Sequence, residues 1–331
     1  MNSLSVWVIC GGPSGEAEVS RTSGRGVVAA LTDAGHAAKL VEFEPALALA
    51  LLQDRPDVVF PVTHGTLGED GCLQGLLEVF AMPYVGSGVL ASAVGAQKPV
   101  AKGIWRSGGL PVAEEALVRR GDNPAQLVGA LRARLGRAVV VKPASGGSAI
   151  GVQRVASSES DERLVGAILD VLDIDDQALV EQWLEGIEVT CGVLEIDGRA
   201  TALPPTQIQP NRADFYDFVS KYAPGGSRHL CPAPLPPPCL ERIQALAVRA
   251  HELIQARDLS RVDFIVGENG DGERQLTILE INTLPGMTPT SLYPEAAAVG
   301  GVRFTELVDS LVRQAMARPR RVVPEVLGMP A

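Results

Sequence analysis

The chain is 331 residues long, with 29 Lys and Arg against 39 Asp and Glu and a formal net charge of −10 at pH 7. That balance argues against nucleic acid or an anionic membrane as the main partner, because both demand a basic surface. Hydrophobic residues make up 46% and charged residues 21%, which excludes general disorder, and the length suffices for two or three domains. Aromatics are scarce at 4%, so the core must be built on Ala, Val and Leu. The longest purely apolar run, residues 46–52, falls far short of the roughly 18–20 residues that span a bilayer. Residues 1–12 carry no Lys or Arg before their apolar stretch and run into glycines, so they read as a first strand and not as a signal peptide. The five cysteines (Cys10, Cys72, Cys191, Cys231, Cys239) are odd in number, scattered and free of C-x-x-C spacing, so neither a disulfide framework nor a zinc site is expected. The expectation is a soluble, cytoplasmic protein.

In chain order, residues 6–10 form a buried strand that stops at Gly11-Gly12. A helix follows from Glu16, with Val19, Ser23, Val27, Val28 and Leu31 at helical spacing until Gly35. Strands over 38–43 and 57–62 come next, the latter ending at Thr63-His64-Gly65. Strand–helix–strand alternation predicts an open α/β sheet, whose ligands sit at the carboxyl ends of the strands. Gly11-Gly12 and His64-Gly65 both lie at such ends.

After Pro99 a short helix over 100–107 and a second over 124–134 precede an apolar strand, 138–141, that runs into Lys142-Pro143. A small, glycine-rich loop spans 144–151, and a further strand spans 179–183. Segments 188–194 and 199–203 read as antiparallel strands, and 204–238 as a long Pro- and Gly-rich stretch without a period. Loops of that length are more often lids or binding loops than connectors. A helix over 238–256 leads into strands 261–266 and 275–281, joined by a polar turn, and a last helix over 304–317 precedes a basic tail.

Four features carry chemistry. Glu280 and Asn282 are two apart on one strand and share a face, and Asp263 falls about opposite them on the preceding strand. Three oxygen ligands of this kind suit Mg²⁺; a solvated polar face is the plainer alternative. Lys142 ends a buried strand, where a lysine can meet phosphates as a point charge, and the 144–151 loop can lay N–H groups over them. A simple hairpin loop remains the alternative, and neither a P-loop nor a G-x-G-x-x-G fingerprint occurs. The run Glu181-Gln182-Trp183-Leu184 offers backbone edges and apolar walls for an adenine ring, with Glu188 in reach of a ribose; an ordinary edge strand would read the same way. His64 sits among glycines at a strand end, and Glu16 is either functional or a first-turn acid that complements the helix dipole.

Together these pieces resemble the D-alanine–D-alanine ligases of the ATP-grasp superfamily, nearly end to end. The most specific blocks are His64-Gly65-Thr66-Leu67-Gly68-Glu69-Asp70-Gly71 and Glu280-Ile281-Asn282-Thr283 followed by Pro285-Gly286-Met287-Thr288. Lys98, Lys142-Pro143, Ser148, Phe215-Tyr216-Asp217, Lys221-Tyr222 and Arg261-Val262-Asp263 fall in the family's order between and around them. The resemblance implies an α/β (α+β) ATP-grasp fold of three domains: an open parallel sheet over 1–97, a central subdomain over 98–184, and a C-terminal subdomain over 185–331 that carries a lid at about 204–238. It implies ligation of two D-alanines to D-alanyl-D-alanine through an acyl phosphate, for peptidoglycan. It further implies ATP with two Mg²⁺ ions (Mn²⁺ as a substitute), no nucleic acid or membrane partner, and a homodimer.

By the same resemblance Lys98 and Lys142 bind ATP phosphates, Glu181, Trp183 and Leu184 form the adenine hinge, Glu188 holds the ribose, and Phe215 and Leu279 line the base pocket. Asp263, Glu280 and Asn282 hold the metals. Glu16 takes the first D-alanine's ammonium and joins Ser148 and Tyr222 in a hydrogen-bonded chain that closes the lid. Arg261 and the Gly286 backbone stabilise the tetrahedral oxyanion, while His64, Lys221, Ser291 and Leu292 contribute to D-alanine binding. Gln97, Ala149 and Gln182 depart from the family's usual Asp, Ser and Lys and bear on ATP affinity. The presence of Tyr222 favours the dipeptide over a D-alanyl-D-lactate ester. A catalytically silent nucleotide-binding regulator is disfavoured by the intact Lys142, Asp263, Glu280 and Asn282.

Overall fold

The computed structural model describes residues 2–210, 226–268, 274–288 and 290–319. Three sheets follow one another along the chain. The first contains β1 (Ser5–Cys10), β2 (Ala37–Glu42) and β3 (Val58–Pro61), all parallel in the order β2-β1-β3. Parallel strands need crossovers, here α1 (Ala17–Asp33) and α2 (Leu47–Asp54), and β1 and β3 are accordingly apolar and buried. The turn after β1 favours glycine: Gly11 has φ +76°, a conformation that residues with a Cβ rarely adopt.

α3 (Cys72–Val79), α4 (Val89–Ala96) and α5 (Lys98–Ser107) lead to a second, antiparallel sheet. It consists of β4 (Glu115–Arg119), β5 (Val139–Pro143), β6 (Gln153–Val155) and β7 (Gln177–Gln182) in the order β4-β7-β5-β6. α6 (Pro124–Leu135) and α7 (Asp161–Ile174) cover one face, burying Leu131, Leu164, Ile168 and Val171 against Val139 and Val141. Ser160 caps α7 by accepting from the Arg163 N–H, and Asp161 and Glu162 complement its dipole.

The third sheet is built on β8 (Ile187–Ile196), with β9 (Arg199–Ala202), β10 (Thr206–Pro210), β11 (Ser227–Leu230), β12 (Leu259–Glu268) and β13 (Arg274–Asn282). Its order is β11-β10-β8-β12-β13, with β9 paired to β8. α8 (Pro237–Leu253) packs on it, and α9 (Leu292–Val299) and α10 (Phe304–Ala317) return to the first sheet. There Leu307, Leu311 and Val312 share a core with Val8, Val27 and Phe60.

The predicted strands and helices recur with ends shifted by one to three residues. Two expectations change. The stretch 204–238 is not one irregular segment: β10 pairs with both β8 and β11, so its two ends belong to the sheet. The run at residues 46–52, read from sequence only as too short for a membrane, belongs to a surface helix whose Leu47 and Leu51 face the core. Sequence reading also passed over β4, α3, α4, α7 and α9. The centre of the lid and the polar β12–β13 turn lie outside the described residues. No helix among the described residues is long and apolar enough to cross a membrane.

Asp258 ties three parts of the chain together. Its fully buried carboxylate accepts from the Gly86 N–H at 2.7 Å and from Gln314 Nε2 at 2.7 Å, and pairs with Arg318 beyond α10. Asp258→Ala would leave a guanidinium and an amide without their acceptor, and is expected to lower the unfolding free energy by about 3–5 kcal/mol. Urea denaturation measures this; a loss below about 1 kcal/mol would show that the tie carries little of the stability.

Candidate active site

The β12–β13 hairpin supplies the acidic part of the site. Its register sets Arg261 opposite Asn282 and Asp263 opposite Glu280, so the four side chains emerge on one face. Immediately after Asp263 the ladder slips, with Phe264 opposite Ile278, and Leu279 becomes the extra residue of a bulge. Arg261 forms a two-point pair with Asp263, Nε to Oδ1 and Nη2 to Oδ2, both 2.9 Å. Thr190, opposite Asp263 on β8, donates its hydroxyl to Oδ1 at 2.5 Å. Asn282 Oδ1 accepts from the Leu284 N–H at 2.8 Å. Two carboxylates and one amide oxygen form a hard, few-ligand donor set, which suits Mg²⁺ shared with phosphates better than a softer metal.

The basic part comes from α5 and β5. Lys98 and Lys102 are one turn apart on α5, and with Lys142 all three are buried. Lys98 Nζ donates to the Gly146 carbonyl at 2.5 Å and lies 3.7 Å from Glu280 Oε2. Lys142 Nζ pairs with Glu181 Oε2 at 2.6 Å, while Glu181 Oε1 receives Lys102. Burial pushes Lys102 down to about 8 although Glu115 partly offsets it. Burial, and then the like charge of Lys102, push Lys142 well below the ordinary lysine value. Added phosphate charge would relieve both.

The glycine-rich loop is pinned at its start and at its tip. Ser145 donates its N–H and its hydroxyl to Asp175 Oδ2, at 2.9 and 2.5 Å. Burial alone would raise the Asp175 carboxyl, but these bonds and the Gln177 N–H outweigh it and hold it below the usual range. At the tip Ser148 and Ala149 adopt φ of +55° and +56°, a conformation that side-chain-bearing residues keep only where their surroundings hold them. The Ser148 hydroxyl is held by Glu16, across from the first sheet.

Two cavities result. The larger, about 650 Å³, is lined by Glu16, His64, Ser148 and Arg261, by Asn282 and Gly286, and by Ser291 and Leu292. The smaller, about 150 Å³, is lined by Lys142, Glu181, Trp183 and Leu184, and by Glu188, Asp263 and Leu279. Lys98 and Glu280 line both. The Ser291 hydroxyl accepts from the Thr288 N–H at 3.0 Å and sits so close to Gly286 that a Cβ there would meet it at 2.9 Å. Phe215, Lys221 and Tyr222 lie outside the described residues.

One expectation needs refining. Glu181 is on β7, paired on one side with β4 and on the other with β5, so the strand is interior. Past its end the Trp183 N–H is bonded to the Ala138 carbonyl at 3.0 Å, the Arg154 guanidinium stacks 4.3 Å from the Trp183 ring, and Leu184 follows at the wall of the smaller cavity. Sequence reading also missed Lys102, Thr190 and Asp175. Only Lys102 left a trace, its four-residue spacing from Lys98.

The family model described as D-ala D-ala ligase C-terminus matches residues 104–313, and that described as D-ala D-ala ligase N-terminus matches 45–87. The chain is 42% identical over 315 residues to a D-alanine–D-alanine ligase of Sinorhizobium medicae, covering 95% of this chain and 99% of that one. It is 40% identical over 318 residues to a ligase of the same name from Synechococcus sp., covering 95% and 94%. Among solved structures, the D-alanine–D-alanine ligase of Coxiella burnetii superposes with a TM-score of 0.81 at 28% identity, over 96% of this chain and 94% of that one. The Bacillus anthracis ligase complexed with ATP superposes with a TM-score of 0.77 at 27% identity, over 95% and 98%.

His64 yields a pH prediction. It is 6% exposed, and burial by itself would lower its pKa, but Glu69, 3.8 Å away, and then Glu16 outweigh this and raise it above the ordinary 6.5. Glu69→Gln keeps an acceptor for the Gly65 N–H and removes the charge. The imidazole should then titrate at lower pH than in the wild type, as read by NMR; an unchanged or higher midpoint would show that Glu69 is not the cause.

Proposed function

The chain belongs to the D-alanine–D-alanine ligase family, and from that premise we propose how its two cavities divide the reaction. The enzyme joins two D-alanines with ATP, giving D-alanyl-D-alanine, ADP and phosphate for peptidoglycan synthesis. A carboxylate is too poor an electrophile for direct attack by an amine. The first D-alanine's carboxylate oxygen therefore attacks the γ-phosphorus of ATP, ADP leaves, and the resulting acyl phosphate is a competent acceptor. The amine of the second D-alanine then attacks the carbonyl carbon, loses a proton, and expels phosphate.

In this reading the smaller cavity takes the nucleotide and the larger takes both amino acids. The observation that carries it is the shared wall: Lys98 and Glu280 face both cavities, which is where a γ-phosphate must pass from one to the other. Lys98 and Lys142 neutralise charge on the phosphates, and Trp183 and Leu184 receive the base. Asp263, Glu280 and Asn282 would hold Mg²⁺, which when bound neutralises phosphate charge. Glu16, buried and tied to Ser148, offers its carboxylate to the first D-alanine's ammonium at the point where the loop tip is held. Arg261 and the Gly286 N–H stabilise the oxyanion as the amine attacks. Ser291 and Leu292 border the second D-alanine, with Lys221 for its carboxylate. Closure of the glycine-rich loop keeps water from the acyl phosphate.

The three sheets support a division into 1–97, 98–184 and 185–331, with α10 returning to complete the first unit's core. The family resemblance supports a homodimer in the cytoplasm.

The test is ADP release from Mg-ATP with D-alanine, L-alanine or no amino acid, with the product weighed by mass spectrometry. ADP should form only with D-alanine and be accompanied by the dipeptide mass. Glu280→Gln should slow turnover by about 10²–10³-fold, because it removes charge at the cavities' junction. ADP formed equally without D-alanine, or an unimpaired Glu280 variant, would overturn the assignment.

A further inference from the structure

Helix α5 presents three cations at four-residue spacing, Lys98, Lys102 and Arg106, and together they address carboxylates on three strands. Lys98 faces Glu280 of β13, and Arg106 Nη2 reaches Glu115 Oε1 of β4 at 3.4 Å. Lys102, between them, is fully buried and lines neither cavity, so it cannot meet substrate directly. Its role has to be sought in what it touches.

Glu115 and Glu181 stand directly opposite each other in the β4–β7 ladder. Like charges in that relation repel, and both carboxylates are nearly buried, so a cation between them is required. Lys102 Nζ supplies it, 3.2 Å from Glu115 Oε2 and in contact with Glu181 Oε1. The other oxygen of Glu181 is the partner of Lys142, at 2.6 Å, and Lys142 does line the smaller cavity. The chain of charges is continuous: Glu115, Lys102, Glu181, Lys142.

We propose that Lys102 is a positioning residue for nucleotide binding: by occupying one oxygen of Glu181 it turns the other toward Lys142 and fixes that lysine at the wall of the smaller cavity. The proposal rests on the reading of that cavity as the nucleotide site. Without Lys102, Glu181 is left beside Glu115 with one cation instead of two, and its carboxylate has reason to swing toward Arg106 or to hold Lys142 too strongly for phosphate to compete.

The experiment compares ATP dissociation constants, D-alanine KM and pH profiles for the full-length wild type and for Lys102→Met, Glu181→Gln, Lys102→Met/Glu181→Gln and Lys142→Met. Lys102→Met should weaken ATP about tenfold or more while changing the KM for D-alanine less than about twofold. The groups facing Lys142 are Glu181, Lys102, Lys98, Glu280 and Glu115. Removing the like charge of Lys102 lets Lys142 keep its proton, so the fall of ATP affinity on the alkaline side should move to higher pH. A merely structural lysine would lower the yield of folded enzyme without separating ATP affinity from the KM for D-alanine. Measured below that alkaline limb, where Lys142 keeps its proton, the double variant should bind ATP no more weakly than Glu181→Gln alone, within about twofold, because the placement of Lys142 passes through Glu181. That comparison carries the test by itself if Lys102→Met fails to fold. Wild-type ATP affinity and pH profile in Lys102→Met, or a double variant more than about threefold weaker than Glu181→Gln, would overturn the proposal. Lys142→Met separates the two levels. If it binds ATP as the wild type does, the nucleotide assignment itself fails; if it loses ATP while Lys102→Met does not, only the role of Lys102 falls.

Discussion

The pairing of β12 with β8 on one side and β13 on the other is the constraint on which the site depends. It sets Asp263 between Thr190 and Glu280 and turns Arg261 and Asn282 to the same face. A slip of one residue would send all of these into the apolar layer beneath, where Val262, Phe264 and Ile281 pack. Those buried neighbours therefore hold the polar face in register as much as the hydrogen bonds do. The bulge at Leu279 then redirects the strand, so that this apolar side chain reaches the smaller cavity while Glu280 still faces Asp263.

Around this hairpin the enzyme keeps charges where water is scarce. Lys98, Lys102 and Lys142 are all buried, and each is matched with a carboxylate or a carbonyl already present in the fold. Such pairs contribute little net stability, because desolvation nearly cancels their attraction. Their benefit is at the reaction. In the proposed reading, a phosphate entering this dry, preorganised, cationic pocket would meet its full field without waiting for side chains to reorganise. Stability is supplied elsewhere, by four apolar clusters and by ties such as Asp258 that bind the ends of distant elements.

The glycine-rich loop joins the two halves of the chemistry. Asp175 fixes its start, Lys98 its middle and Glu16 its tip. Because Glu16 lines the larger cavity and Ser145 borders both, the loop ties the geometry of one cavity to that of the other. The positive φ values of Ser148 and Ala149 show that this tip is held by contacts and not by local preference.

Much of this was legible in the sequence. The strand–helix alternation, the Glu280-x-Asn282 spacing, the Lys142 strand end and the family blocks were sufficient to name the fold class, the chemistry and a good part of the residues that line the two cavities. Local patterns of this kind survive in one dimension because strand period and turn chemistry are properties of near neighbours. Other features belong to the tertiary structure alone. That β7 is an interior strand, that Lys102 sits between Glu115 and Glu181, that Asp175 anchors Ser145, and that α10 closes the first sheet's core all depend on residues tens or hundreds of positions apart. A buried lysine reads in sequence like an exposed one. Only the packed sheet, by removing water and setting two carboxylates face to face, decides that this one must be charged, paired and in place.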